Sequence, residues 1–212
     1  MILDLDLPQH SPVECKPELS IQFQSEVLMA IGFAAPLRTL PIFRYHPDPL
    51  STGSIKRSSN ACECCGEVTG YVYAASFYST QNISVLCPWC IHSGRAAETF
   101  NGSFSDERPL IDAGIDPEII MAVCKQTPGF VTWQQEAWLT HCRDACEFHG
   151  DARRADLLVL EGAALQELLN NYGLSTRHWA DILDSYEPGG HTCFYKFKCR
   201  HCNQVSYSMD YA

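Results

Sequence analysis

ACECCGEVTGYVYAASFYSTQNISVLCPWCIHSG, residues 61–94, is the stretch whose reading decides the fold. Cys62 and Cys65 form one C-x-x-C pair, and Cys87 and Cys90 form a second. The 21 residues between the pairs read as a β-hairpin. Gly70 to Tyr78 is rich in strand formers, Ser79 to Asn82 supplies a turn, and Ile83, Val85 and Leu86 return as a second strand. This is the spacing of a zinc ribbon, in which two knuckles grip one ion from both sides. A C-x-x-C turn brings two thiolates to one ion at about 2.3 Å from each sulfur. Gly66 follows the first pair, where a positive φ is useful, and Pro88 stiffens the second turn.

Three further readings of these cysteines compete with structural zinc. Cys87-Pro-Trp-Cys90 resembles a redox dithiol, but such a motif should open a helix in a βαβ unit, and here a β-rich segment leads into it. Two disulfides require an oxidising compartment. The third reading is a cluster of ordinary buried thiols.

Thr132 to Cys146, TWQQEAWLTHCRDAC, is the second informative stretch. Thr132 with Gln135 makes a capping box, which predicts a helix. Trp138, Cys142 and Cys146 then share one helical stripe. Two thiolates one turn apart need two more ligands. The tail offers Cys199-Arg-His-Cys202, followed by Asn203, which tolerates the left-handed turn that a knuckle needs. Cys142, Cys146, Cys199 and Cys202 are therefore the expected second zinc site, giving two ions in all. His141, His191, His201 and Cys193 are alternative ligands. Cys15, Cys64, Cys124 and Cys193 otherwise read as buried thiols.

The expected architecture is α+β: a zinc-ribbon-like β-hairpin module packed on a helical region, with a second C-terminal zinc knuckle. Residues 1–36 form a partly helical N-terminal extension. Residues 37–212 form the main domain, with the ribbon at 61–94, a helical region at 116–187 and a C-terminal β-hairpin with its knuckle at 191–210. Pro41, Pro47 and Pro49 exclude a helix from Leu40 to Ile55 and leave an extended segment that packs Ile42, Phe43 and Tyr45 inward. His46 and Asp48 make a candidate acid–base pair, but a turn in which Asp48 bonds its own backbone is the expected reading. Lys56 to Asn60 reads as a polar linker, and Ser105 to Ala113 as an acidic loop. Asp116 caps a helix opened by Pro117 and running to about Gln126, where Thr127-Pro-Gly129 stops it. Ser175 caps another through Tyr186. Phe194–Lys198 and Val205–Met209 are the two strands flanking the terminal knuckle.

Composition limits what the chain does. It has 212 residues, 46% hydrophobic and 19% charged, as expected of a folded domain. The formal charge is −10, and residues 61–120 hold eight acids against two bases. Such a surface repels nucleic acid, whose binding rests on neutralising phosphates. It attracts a basic protein, unless it serves solubility alone. The opening MILDLDLPQH has acids where a signal peptide needs bases, and no apolar run approaches the roughly 18 residues of a membrane span. A cytoplasmic protein is expected. No phosphate loop, nucleophile elbow or H-E-x-x-H helix occurs. Each metal site can be closed by four sulfurs, whereas catalytic zinc keeps an open position. A non-enzyme is therefore expected.

Cys62-x-x-Cys-Gly, Gly70-Tyr-Val-Tyr, Leu86-Cys-Pro-Trp-Cys-Ile, Asn101-Gly-Ser-Phe104, Thr127-Pro-Gly, Trp133-Gln-Gln-Glu-x-Trp-Leu-x-His-Cys142 and the final Cys-x-His-Cys resemble the CbrC family over about residues 37–210. The resemblance implies a cytosolic bacterial protein with zinc, linked by name to colicin tolerance. The expected function is that of an immunity or tolerance protein that neutralises a basic toxin domain by direct binding. Its expected contact surface is the acidic segment Glu98, Asp106, Glu107, Asp112 and Glu118, with Gln134 and Glu136 on an exposed helix face as a second surface. Two different functions compete with it: an enzyme with a pocket near the Trp133–His141 helix, and a regulatory zinc module.

Overall fold

The computed structural model describes residues 38–212; the N-terminal extension, the helix expected in it and Cys15 lie outside the described residues. Strand β1 (Ile55–Arg57) pairs antiparallel with β2 (Tyr71–Tyr73), Lys56 opposite Val72. Lys56 and Arg57, the first two residues of the segment read as a polar linker, therefore lie in an edge strand, and residues 58–60 remain irregular. The strand buries Ile55 and leaves Lys56 and Arg57 in solvent, as a charged edge should. The hairpin expected from Gly70 to Leu86 does not form. Residues 83–86 have no strand geometry, and they meet β2 through the bond from Tyr73 N to Leu86 O at 2.8 Å. The zinc-ribbon assignment is corrected accordingly: the cysteine pairs are held by a short two-stranded sheet and a helix.

That helix is α1 (Pro88–His92), followed by α2 (Arg95–Thr99), α3 (Arg108–Asp112) and α4 (Pro117–Gln126). The expected acidic loop at 105–113 thus contains one helical turn. Asp116 caps α4, accepting from Glu118 N at 2.8 Å. After α4 the chain turns at Thr127-Pro-Gly. A Cβ on Gly129 would stand 2.1 Å from the Phe104 carbonyl oxygen, so the close passage of these two backbones requires glycine.

The helical region expected over 116–187 is interrupted by β3 (Thr140–His141), β4 (Asp144–Ala145) and β5 (Glu147–Asp151). No helix forms at Thr132–Cys146. Cys142 and Arg143 both have positive φ, 52° and 59°, and form the two-residue loop of a hairpin with His141 opposite Asp144. Two consecutive left-handed residues are the signature of a type I′ turn, whose twist suits a tight hairpin.

Helices α5 (Arg154–Leu158), α6 (Gly162–Tyr172) and α7 (Thr176–Ser185) follow, and Ser175 caps α7 by accepting from His178 N at 3.1 Å. Strands β6 (Thr192–Lys198) and β7 (Val205–Tyr211) form a hairpin in register from Thr192–Tyr211 to Lys198–Val205. Together with β5 they make a three-stranded antiparallel sheet in the order β5-β6-β7.

Three apolar clusters hold these elements. Phe43, Tyr71, Tyr73, Leu86, Ile91 and Phe104 surround the first cysteine group. Phe130, Trp138, Phe148, Tyr195 and Phe197 surround the second, with Phe130 stacked on Phe148 at 4.0 Å between centroids. Leu157, Leu168, Leu169, Trp179 and Tyr186 enclose Phe194 beneath α5–α7. Phe43 and Tyr45 pack inward as expected, but Ile42 is 87% exposed because side chains alternate along this extended segment. His46 is fully buried; its Nδ1–H donates to Pro128 O at 2.8 Å and its Nε2 accepts from Thr52 Oγ1 at 2.7 Å. Asp48 accepts from Ser51 N at 3.1 Å, the self-bonded turn that competed with an acid–base pair.

Candidate metal centres

The first centre gathers Cys62, Cys65, Cys87 and Cys90, whose sulfurs all lie within 4.8 Å of one another. Cys65 Sγ and Cys87 Sγ are 3.9 Å apart. A tetrahedron with sulfurs about 2.3 Å from a central ion has edges of roughly 3.8 Å, so the cage is the right size for a metal. Every cysteine among the described residues is free, and the spacing is far beyond the roughly 2.05 Å of a disulfide.

Local backbone explains the cage. Cys62 N donates to Glu67 O at 2.9 Å and Gly66 N to Cys62 O at 2.7 Å, closing a knuckle with Gly66 at φ 78°. Cys87 N donates to Cys62 Sγ at 3.2 Å. Cys87 caps α1 and Cys90 lies in its first turn, with Pro88 fixing the entry. The motif does open a helix, as a redox dithiol would, but the strands beside it are antiparallel and no βαβ unit is present among the described residues. The Cys62 thiol is held at about 4, first by the neighbouring Cys87 thiol and then, against burial, by backbone amides including that of Cys87. The Cys87 thiol is pushed up first by sharing its proton with the Cys62 sulfur, and the Cys90 thiol first by burial. One thiolate among neighbouring thiols resists further ionisation until a positive charge arrives, which is how a cation site of sulfurs behaves.

The second centre gathers His141, Cys142, Cys199 and Cys202 within the same 4.8 Å limit. His141 Nδ1 lies 3.2 Å from Cys142 Sγ and 3.3 Å from Cys202 Sγ. The tail knuckle repeats the first: Cys199 N donates to Gln204 O at 2.8 Å, Asn203 N to Cys199 O at 3.1 Å, and Asn203 has φ 63°. Burial opposes ionisation of Cys199, yet the amides of Cys202 and His201 and the His141 ring outweigh it and hold the thiol at about 6.

Cys146 is not part of this group. With no helix through 132–146, its spacing from Cys142 no longer places the two on one face. It is 2% exposed in the core, and burial first, then the Cys199 charge, pushes its thiol up to about 12. His141 takes the position, because the hairpin loop turns both His141 and Cys142 toward the tail. His201 and Cys193 are engaged elsewhere: His201 bonds Asp144 at 2.9 Å, and Cys193 lies against Gly190 O at 3.4 Å. His191 is exposed and stands outside both groups. Asp144 is 3% exposed, and although burial alone would raise it, His201 and Tyr45 hold its carboxyl below the usual range.

The expected contact residues divide. Glu98, Asp112 and Glu118 are exposed and Asp106 and Glu107 half-buried; Glu107 pairs with Lys125 at 2.7 Å and Asp112 with Arg108 at 2.9 Å. Gln134 is exposed, but on irregular chain. Glu136 is corrected outright: it is 4% exposed, bonded to the Tyr78 hydroxyl, and its Oε1 has no partner. The Trp133–His141 segment threads into the core instead of presenting a helix face. No helix among the described residues is long and apolar enough to cross a membrane.

The chain is similar over 174 residues to a protein of Pseudomonas aeruginosa, 45% identical, covering 81% of this chain and 97% of the relative. It is 32% identical over 176 residues to proteins of Mycobacterium bovis and Mycobacterium tuberculosis, covering 82% of this chain and 94% of each. No solved structure matches. All three relatives are named UPF0167 proteins, and this overturns the resemblance to the CbrC family: neither that family nor colicin tolerance is named by any of them. A model of an uncharacterised protein family matches residues 40–211, nearly all of the described chain, and the protein belongs to that family, UPF0167.

Proposed function

We propose that this is a zinc-stapled protein that works by binding a basic protein partner. Zinc suits donor sets of four sulfurs, or three sulfurs and an imidazole, and such closed sets are structural. Their role here is to hold four short backbone segments in place where the sheets are too small to do so alone.

One observation carries the binding reading. Ile111 on α3 and Met121 on α4 are 52% and 53% exposed, on adjoining helices that also display Asp112 and Glu118. An open groove of about 390 Å³ runs between α2 and α4, lined by Glu98, Asn101, Met121 and Lys125 among others. Apolar anchors with a charged rim are the anatomy of a protein interface, and methionine adapts to a partner's shape. Glu98 and Glu118 make no ion pair among the described residues, so their charge is available to a cationic partner. A toxin domain occluded by this face is the concrete form of the reading.

The test is a partner captured by the zinc-loaded chain, identified, and measured again with Glu98→Lys/Glu118→Lys and with Met121→Asp. The charge variant should slow association several-fold and flatten its dependence on salt, because exposed charges are screened beyond about 10 Å at 0.1 M. Met121→Asp should raise the off-rate. A partner that binds all three chains equally well overturns the proposal.

A further inference from the structure

A second cavity, of about 290 Å³, is lined by Phe130, Trp133, Phe148 and Tyr195, with Asp151 and Cys193 on its polar side. No lysine, arginine or histidine lines it. Asp151 accepts from the Tyr186 hydroxyl at 2.7 Å and from Phe194 N at 3.0 Å, and also from Gly189 N; all three donors are neutral. Asp210, 7% exposed, accepts from the amides of Trp133 at 2.7 Å and Gln134 at 3.2 Å and from the Tyr195 hydroxyl at 3.4 Å. Neither carboxylate makes an ion pair among the described residues. Hydrogen bonds orient these charges without cancelling them: Asp151 lies half-buried on the cavity wall and Asp210 is buried behind the Trp133 backbone, so the wall carries negative charge that no cation of the described chain offsets.

We propose that this cavity binds a small organic cation of the alkylammonium class, the ammonium facing Asp151 and lying against Trp133. Phe130, Phe148 and Tyr195 are buried and packed on one another as an apolar floor, whereas Trp133, exposed at the rim, is the ring to which a cation is attracted. The field at the cavity points the same way: after burial, the charge of Asp151 pushes the Cys193 thiol up, and Asp210 adds to it. An anion is repelled by that field. A neutral apolar molecule fills the space but leaves the carboxylates uncompensated. The volume suits a group of choline's size rather than a drug-sized molecule. Trp133, 57% exposed, forms the rim and reports on occupancy. The cavity shares no lining residue with the groove between α2 and α4, so a cation can bind here whether or not a protein binds there.

The experiment titrates the full zinc-loaded chain with choline and tetramethylammonium, and with 3,3-dimethylbutan-1-ol as the neutral shape mimic of choline. Tryptophan fluorescence and calorimetry are the readouts. The cations should bind saturably, and choline about tenfold or more tighter than the neutral mimic. Val131→Lys, at a lining position 62% exposed, places a tethered ammonium at the mouth and should weaken choline binding by about tenfold without changing the melting temperature. Trp133→Leu should weaken it similarly. Absence of saturable binding by both cations, equal binding of choline and its neutral mimic, or indifference to Val131→Lys would each overturn the proposal.

Discussion

Gly66 and Asn203 occupy one and the same position in two separate knuckles. Each adopts the left-handed conformation, and each donates its amide to the carbonyl of the first cysteine, Cys62 and Cys199 respectively. A side chain with a Cβ costs about 1–2 kcal/mol in that conformation, and asparagine tolerates it better than most. Gly66→Asn should therefore be nearly neutral, and Asn203→Gly neutral or mildly stabilising. Gly66→Val and Asn203→Val should each lower stability by at least about 1 kcal/mol and loosen their own centre alone. Thermal unfolding paired with chelator competition reads both effects.

Elemental analysis of purified protein should find two zinc ions per chain. His141→Ala should lose one of them, whereas Cys146→Ser should keep both. The cost of Cys146→Ser should appear in the melting temperature, since it buries a hydroxyl in place of a core thiol. Loss of an ion in Cys146→Ser with retention in His141→Ala would restore the all-cysteine second site.

His46 should make the fold sensitive to mild acid. Burial holds its ring at about 4, well below the ordinary 6.5. The unfolded chain takes up a proton as pH falls through 6.5 and the folded chain does not until about 4, so stability is lost across that window, by about 3 kcal/mol at most. His46→Ala should be destabilised at neutral pH, because Thr52 and Pro128 lose a buried partner, and its stability should vary less between pH 6.5 and 4. Urea titrations at several pH values measure this. An unchanged slope in the variant would assign the acid sensitivity elsewhere.

Glu136 carries the opposite sign. Burial raises its carboxyl above the ordinary 4.5, against the bond from Tyr78, so the folded chain holds a proton that the unfolded chain has released. Stability therefore falls as pH rises from 4.5 through the folded-state value. Glu136→Gln keeps an acceptor for Tyr78 and removes the buried charge, and should raise the melting temperature at pH 7 while leaving it little changed at pH 4. A lower melting temperature at pH 7 would show that the charge itself is needed.

The cysteine pairs, the caps at Asp116 and Ser175 and the two C-terminal strands were legible because each rests on chemistry within a few residues. The errors arise where distant contacts override local pattern. Trp138, Cys142 and Cys146 have helical spacing, but Trp138 Nε1 donates to Cys146 O at 2.8 Å across a hairpin. Nothing signals that hairpin, since Cys142-Arg143 stands where a type I′ loop ordinarily shows Asn-Gly. Lys56 and Arg57 read as linker because a two-residue charged run says nothing of the strand that Tyr71–Tyr73 would offer it. Glu136 reads as surface because its partner, Tyr78, is 58 residues away.

The second centre also differs from the first in how much chain it encloses. Cys65 and Cys87 are 22 residues apart, whereas His141 and Cys202 are 61 apart, with α5, α6 and α7 all inside the circuit. Closing the longer circuit costs about 1 kcal/mol more in chain entropy. An ion bound at the tail would work as a clasp on a third of the described chain, joining the β3-β4 hairpin to the end of β6. Without that ion the three helices would keep the β5-β6 ladder at their two ends, Glu147 opposite Lys198, and their packing around Phe194, while the β3-β4 hairpin would lose its hold on the tail.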